Sequence, residues 1–276
     1  AMGEKNEKRV RAASSFVTCA SVFVGVFFAA LLILFMDPIL RVFGADAETY
    51  EFARGYTLHI AWGAPFIIWS AAASFIVRAE GASREAMVGS MIGTIANIVL
   101  DPIFISVLRQ GTAGAAIATS LGNIMASGYY LWYFLKKSRV LSISWKDFTW
   151  KDGILTRICS TGLPTAIFSA LMSVSTVVLN QMLVVYGNAP VAAIGIVFKA
   201  NMFITFLQMG LANGVQPLLG YNYGSGDGKR FREVESFTKR SCLVTGVLAT
   251  MLYFVFRESI IRLFINDDEV VAYGVE

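Results

Sequence analysis

The amino-acid sequence predicts an all-α polytopic membrane protein, and three observations carry that prediction. Hydrophobic residues make up 56% of the 276-residue chain and charged residues only 15%, with a mean hydropathy of +0.61, a balance unsuited to a water-facing surface. Seven segments reach the roughly 20 apolar residues that a bilayer core demands of a helix. The Lys and Arg residues gather in alternate connections between those segments, as expected of a chain threaded through a membrane.

The seven runs lie at about 14–36, 58–76, 87–108, 113–135, 163–186, 190–218 and 241–264. Backbone polar groups must be satisfied inside lipid, so runs this long and apolar are read as helices. One set of connections holds Lys5, Lys8, Arg9 and Arg11, then Arg78 and Arg84, then Lys136, Lys137, Arg139, Lys146, Lys151 and Arg157, then Lys229, Arg230, Arg232, Lys239 and Arg240, which is 17 of 23. The opposite set holds only Arg41, Arg54, Arg109, Arg257 and Arg262, beside acids such as Asp37, Asp267 and Glu269. The start of the chain is therefore expected in the cytoplasm and residue 276 on the outer side of a plasma or inner membrane.

Other classes are set aside. The net charge of +4 comes without a basic stripe bearing interleaved aromatics, so no nucleic-acid partner is expected. Cys19, Cys159 and Cys242 have no metal-ligand or disulfide spacing. His59 is the sole histidine, which excludes HExxH-type sites, and no cofactor is expected. No cleavable signal peptide is read at the start. The connection 141–162 reads as a linker between residues 1–140 and 163–276, its stretch "SWKDFTWKDGILTRI" forming an amphipathic helix at the membrane surface.

Residues 8–50 laid over 229–271, a gap-free shift of 221, match at 14 of 43 positions. "KRVR" meets "KRFR", and "ILRVFGADAE" meets "IIRLFINDDE". This reads as a duplication. Six helices separate the copies, so both run the same way through the membrane, the parallel repeat found in secondary transporters. The expectation is a 6+6 architecture of roughly 440 residues, with two helices before residue 1 and three after residue 276; a chain of this extent is not expected to transport by itself.

The third run carries Ser90, Thr94, Asn97 and Asp101 at i, i+4, i+7 and i+11, all on one face. Pro102 has no N–H for the carbonyl of Ile98, which frees that oxygen and makes Pro102 a candidate hinge; Pro164 in the fifth run is another. A carboxylate, an amide oxygen and a freed carbonyl suit a proton or a hard cation such as Na⁺. In the fourth run Gly114, Ala118 and Gly122 form a small-residue face for close packing, with Thr119 and Asn123 beside it to complete the ligand set. The fifth run repeats the stripe without an acid, as Ser169, Ser173, Thr176 and Asn180, hydroxyls that often bond back to their own helix. Lys199 in the sixth run is too deep to snorkel easily, so a cavity or an acidic partner is expected for it; Met202 and Gln208 stand nearby on the candidate substrate pathway.

At these residues the sequence resembles the multidrug and toxic compound extrusion (MATE) family. "NIVLDPIFI" with "GTAGAAIATSLGN" resembles that family's fifth and sixth helices, and "APVAAIGIVFKANMFI" with "QPLLGYNYGSGDGKR" its eighth helix and the loop after it. The resemblance covers nearly the whole chain, as helices three to nine of twelve. In some prokaryotic members a cation is bound by an Asn and an Asp four apart on the fifth helix, a Thr on the sixth and an Asp on the first. Asn97, Asp101 and Thr119 match the first three positions, and no acid in 163–186 matches the seventh-helix site of other members. The resemblance implies antiport, H⁺ or Na⁺ entering while a drug-like, often cationic amphipathic compound leaves, by a monomer when complete, in membrane lipid. The alternatives are a lipid-linked precursor flippase of the same superfamily, an intramembrane enzyme, for which GxSxG and a second deep acid are missing, and a non-transporting membrane scaffold.

Overall fold

The computed structural model describes residues 6–42, 49–138, 140–144, 153–185, 188–265 and 267–275. All regular structure among these residues is helical: α1 (Glu7–Leu34), α2 (Met36–Val42), α3 (Tyr50–Ala79), α4 (Ser83–Pro102) extended by a π-helical turn (Ile103–Val107), α5 (Gly111–Lys136), α6 (Ile154–Val184), α7 (Asn188–Ser225), α8 (Gly228–Arg262) and α9 (Asp268–Val275). Six of them, α1, α3, α4 with its extension, α6, α7 and α8, are long and apolar enough to cross a bilayer. The chain is a multi-pass membrane protein. α5 has 26 residues, about 39 Å at ~1.5 Å per residue.

Helix starts are set by caps rather than by hydropathy. The Asn6 side chain accepts from the Arg9 N–H at 3.1 Å and starts α1 at Glu7, ahead of the apolar run. Asp227 accepts from the Arg230 N–H at 3.0 Å and starts α8 at Gly228, because either side chain satisfies a donor the first turn leaves free. The two caps are related by the shift of 221 seen in the sequence. So are two departures from helical geometry: Phe35, which ends α1 at φ −109°, ψ 26°, and Phe256, at φ −105°, ψ 18° inside α8.

The chain divides into two compact units, Ala1–Thr149 with Gly224–Gly226 and Trp150–Tyr223 with Asp227–Glu276. In the first, α3 packs on α1 and α5, and α4 packs on α5. Trp69, Ala73, Val77, Ala86, Ala126, Tyr130, Tyr133 and Phe134 form the core. The α3–α4 turn is closed by Gly81 at φ 93°, with Gly81 N–H bonded to Arg78 O and Ala82 N–H to Val77 O, the Schellman pattern that glycine permits. Glu80 accepts from Tyr133 Oη at 2.8 Å and Ser138 Oγ at 2.7 Å, while Glu85 accepts from Tyr129 and pairs with Lys137. These acids tie the α3–α4 turn, with Arg78 and Arg84, to the end of α5. Ser14 and Ser15 of α1 donate to Ser142 O and Ser144 O at 3.1 and 2.6 Å, holding residues 140–144 against the first turns of α1.

In the second unit the ends of α7 and α8 meet α9 around Ala193, Ile196, Ile261, Val270 and Val271. Tyr253 Oη of α8 donates to Ala200 O of α7 at 2.5 Å. α6 begins at Ile154, so residues 154–162, read from sequence as linker, are already helical. Residues 145–152 of the expected amphipathic helix lie outside the described residues. From 158 to 178 every residue of α6 is exposed.

Candidate functional site

The site in the first unit begins with glycines. α4 and α5 approach so closely at Gly93 and Gly122 that a Cβ on Gly122 would stand 2.6 Å from Gly93 O. A Cβ on Gly89 would meet the Tyr130 ring at 2.3 Å. Gly114 of the expected small-residue face likewise lies against the backbone of Phe104. Small residues are what let helix backbones come together inside lipid. That approach brings polar side chains of α3, α4 and α5 within reach of one another.

A chain of hydrogen bonds results. Ser70 Oγ of α3 donates to Asn123 Oδ1 of α5 at 2.8 Å, and Asn123 Nδ2 donates to Thr119 O at 2.9 Å. Asn97 Nδ2 of α4 donates both to Thr119 Oγ1 and to Asp101 Oδ1, each at 3.3 Å. These last two bonds are long against the usual 2.9–3.0 Å, and a carboxylate or a hydroxyl oxygen that accepts one bond still has acceptor capacity left. Asn97 thus bridges Asp101 on its own helix and Thr119 on α5, gathering oxygen donors of the kind that suit a proton or a hard monovalent cation. No group of three His, Cys, Asp or Glu that could hold a metal is found among the described residues.

Beside this cluster is a cavity of about 400 Å³ lined by Ser70, Ser90, Thr94, Asn97, Thr119 and Asn123 on its polar side and by Ile67, Phe75 and Tyr130 among others. Asp101 does not line it and stands one hydrogen bond behind Asn97. Tyr130 is buried, its hydroxyl donating to Ala86 O at 2.7 Å and lying 3.0 Å from Ser90 Oγ. Thr94 Oγ1 donates to Ser90 O at 3.0 Å. An apolar wall with a few convergent polar groups is the usual make-up of a small-molecule site. Ser70 and Tyr130 were missed by the sequence reading. Ser70 and Ser74, one turn apart on α3, were the available signal.

Pro102 sits inside α4 and leaves the Ile98 carbonyl without its usual donor. One residue later the backbone leaves α geometry for the π-helical turn, with Leu108 N–H bonded to Ile103 O. Pro164 lies within α6, which runs unbroken from Ile154 to Val184.

The remaining candidates belong to the second unit. Thr176 Oγ1 and Ser173 Oγ donate to the carbonyls four residues earlier, Met172 and Ser169, at 3.0 and 3.1 Å. The side chain of Asn180 lies outside the described residues. Lys199 is exposed and, among the described residues, has no acid within ion-pair distance. Met202 is also exposed. Gln208 lies against α8, its Nε2 within 3.4 Å of where a Gly246 Cβ would be. The cavity of about 260 Å³ in this unit is lined by Phe198, Asn201, Tyr253 and Arg257 among others, and not by Lys199 or Met202.

Comparison with known proteins gives three concordant results. The MatE family model matches residues 1–103 and 164–276. The multidrug export protein MepA of Staphylococcus saprophyticus is 31% identical over 271 residues, 98% of this chain, and MepA of Staphylococcus aureus strain RF122 is 31% identical over 270 residues. The chain spans 60% of the length of these relatives. An outward-facing multidrug resistance MATE transporter of the MOP superfamily superposes with a TM-score of 0.91 at 24% identity, over 99% of this chain and 62% of the other. A MOP superfamily transporter from Pyrococcus furiosus, described as having a binding pocket of reverse polarity that suggests a different function, superposes with the same TM-score at 24% identity over the same shares. These superpositions show a shared fold.

Proposed function

The chain belongs to the MatE family, and from that premise we propose that it is part of a cation-coupled antiporter that exports drug-like amphipathic compounds by alternating access. As a MatE chain it is a transport protein, not an enzyme. The carrying observation is the convergence of Asn97, Asp101 and Thr119 from α4 and α5 beside a polar-walled cavity. Asp101 is the coupling-ion ligand, taking H⁺ or Na⁺, with Asn97 and Thr119 orienting it; the Ile98 carbonyl freed by Pro102 is a fourth oxygen.

The compound occupies the cavity between α3, α4 and α5, where Ser70, Ser90, Thr94 and Asn123 offer hydrogen bonds and Phe75 an apolar wall. Ion and compound then compete through Asn97, which touches both the acid and the cavity. An ion that binds one of two transporter states better than the other shifts their equilibrium by that difference in affinity, and Pro102 with the π-helical turn is where α4 bends between them. Lys199, Met202, Gln208 and Thr176 are candidate substrate contacts within the second unit, and Pro164 is the hinge of α6. The seven-span reading, with α5 as the fourth span, a 6+6 parallel repeat, a monomer when complete and a cytoplasmic start belong to the same proposal. Within the first unit the basic residues at 78 and 84 share one end with Lys136 and Lys137, which supports that orientation.

The test is efflux of a fluorescent cationic dye from vesicles carrying the transporter that contains this chain, under imposed pH or Na⁺ gradients, with Asp101→Asn alongside. Gradient-driven efflux lost in the variant supports coupling through Asp101 and identifies the ion. Efflux indifferent to the substitution removes Asp101 from the mechanism, and no efflux by a folded wild type favours the flippase.

A further inference from the structure

Where the chain leaves α5 it is tied down by hydroxyl groups. Ser138 Oγ donates to Glu80 Oε1 at 2.7 Å and accepts from the Leu141 N–H at 3.0 Å. Glu80 Oε2 takes the Tyr133 hydroxyl at 2.8 Å. A serine hydroxyl can donate once and accept twice, and the Val140 N–H approaches the same oxygen at 3.4 Å. The carboxylate of the α3–α4 turn therefore fixes the first residues after α5 through one hydroxyl.

The next residues are tied to α1. Ser14 Oγ accepts from the Ser142 N–H at 3.0 Å, and its own proton is shared between Ser142 O at 3.1 Å and Arg11 O at 3.0 Å. Ser15 Oγ donates to Ser144 O at 2.6 Å, and the Ser144 N–H donates to Ser142 Oγ at 3.1 Å. Ser14 and Ser15 are both buried, and a buried hydroxyl that loses its partner is costly. Between these bonds Leu141 and Ile143, two residues apart, pack against the core cluster. That cluster includes Ala126 and Tyr130, which also line the cavity of about 400 Å³.

Polar ties on one side and apolar contacts on the other make a strap. To lift off, residues 140–144 must give up their bonds to α1 and to Ser138 and uncover Leu141 and Ile143 in the same step. Breaking any one bond leaves the others in place, and contacts that must break together open as one cooperative unit. We infer that Ser138 and residues 140–144 are a closed strap that stays attached to α1 and the α3–α4 turn in every state of the transport cycle. The first unit then carries the beginning of the connection to the second as it moves, and the strap braces the cavity wall at Ala126 and Tyr130. Attachment through a cycle rests on the alternating-access reading; the closed strap itself does not.

The test is amide hydrogen exchange, read at single residues by mass spectrometry, on the transporter that contains this chain in lipid nanodiscs. Spectra are taken without Na⁺ at alkaline pH, with Na⁺, and at acidic pH, with the intrinsic rate at each pH divided out. The amides of Leu141, Ser142 and Ser144 should be protected under all three conditions. Ser14→Ala/Ser15→Ala should speed exchange at Ser142 by about fivefold or more, the loss of a hydrogen bond of ordinary strength. Ser138→Ala, at a partly buried position, should do the same at Leu141 and keeps the test decisive if the double variant folds poorly. Ser173→Ala on α6 and Asp101→Asn should change neither amide. Exchange in the wild type as fast as in an unfolded peptide would overturn the inference, as would protection that disappears under one ion condition, the mark of a latch that opens. So would protection that both serine variants leave intact. Failure of the wild type to export dye would remove the proposed function and leave the strap's protection as it is.

Discussion

The two units carry the same polar pattern and treat it differently. On α4 the stripe Ser90, Thr94, Asn97, Asp101 is met by α5, where Gly93 and Gly122 let the backbones touch, and Asn97 spans to Thr119 and Asp101. On α6 the stripe Ser169, Ser173, Thr176 has the same spacing, and the hydroxyls of Ser173 and Thr176 return to their own helix as that of Thr94 does on α4, but the face is exposed and no described side chain of another helix is bonded to it. Periodicity decides which residues share a face. Whether a face becomes a site depends on a partner helix small enough to come close and polar enough to answer it.

The strongest way to break this contrast is at the helix contact. Gly122→Leu puts a branched side chain where a single Cβ would already stand 2.6 Å from Gly93 O. It should destabilise the first unit by more than the ~1–3 kcal/mol typical of overpacking and lower the thermal midpoint markedly, while Gly162→Leu on α6, where a Cβ meets nothing, should leave it nearly unchanged. Next comes the acid: Asp101→Asn should keep the fold, read by the same melt, yet remove ion-driven transport. A smaller effect is expected from Ser70→Ala, which leaves Asn123 Oδ1 without its donor. Interhelical bonds in membranes average about 0.6 kcal/mol, so a loss of that order is expected, read as a lower midpoint in thermal or denaturant unfolding. Thr176→Val on α6 should be the smallest, within about 0.5 kcal/mol, because it removes only a bond within one helix. A Thr176→Val loss as large as that of Ser70→Ala would erase the distinction between the two stripes.

The spanning helices were legible because length and apolarity are local properties. Their ends were not: hydropathy put the start of α8 near 241, whereas the Asp227 cap carries the helix on through a charged segment to Gly228. The repeat was proposed from identities alone; the caps Asn6 and Asp227 and the non-helical Phe35 and Phe256 fall under the same shift of 221. Of the candidate site, the α4 residues and Thr119 could be read from spacing and resemblance. Ser70 and Tyr130 could not, since each matters through the helix it faces, α5 for one and α4 for the other, and no spacing along a single helix reveals its neighbour. Lys199 is the converse case, a residue conspicuous in sequence for which the second unit offers no acid within ion-pair distance among the described residues.

The most direct measurement is the reaction of Asp101 with a hydrophobic carbodiimide, followed by peptide mass spectrometry across a range of Na⁺ concentration and pH, in wild type and Asn97→Ala. If Asp101 holds the coupling ion with Asn97 as its orienting partner, Na⁺ or rising pH protects it in wild type, and Asn97→Ala moves the protecting concentration by about tenfold, the ~1.4 kcal/mol expected of a charge-assisted hydrogen bond. Labelling that ignores both ions, or that is the same in Asn97→Ala, would contradict a coupling site at Asp101.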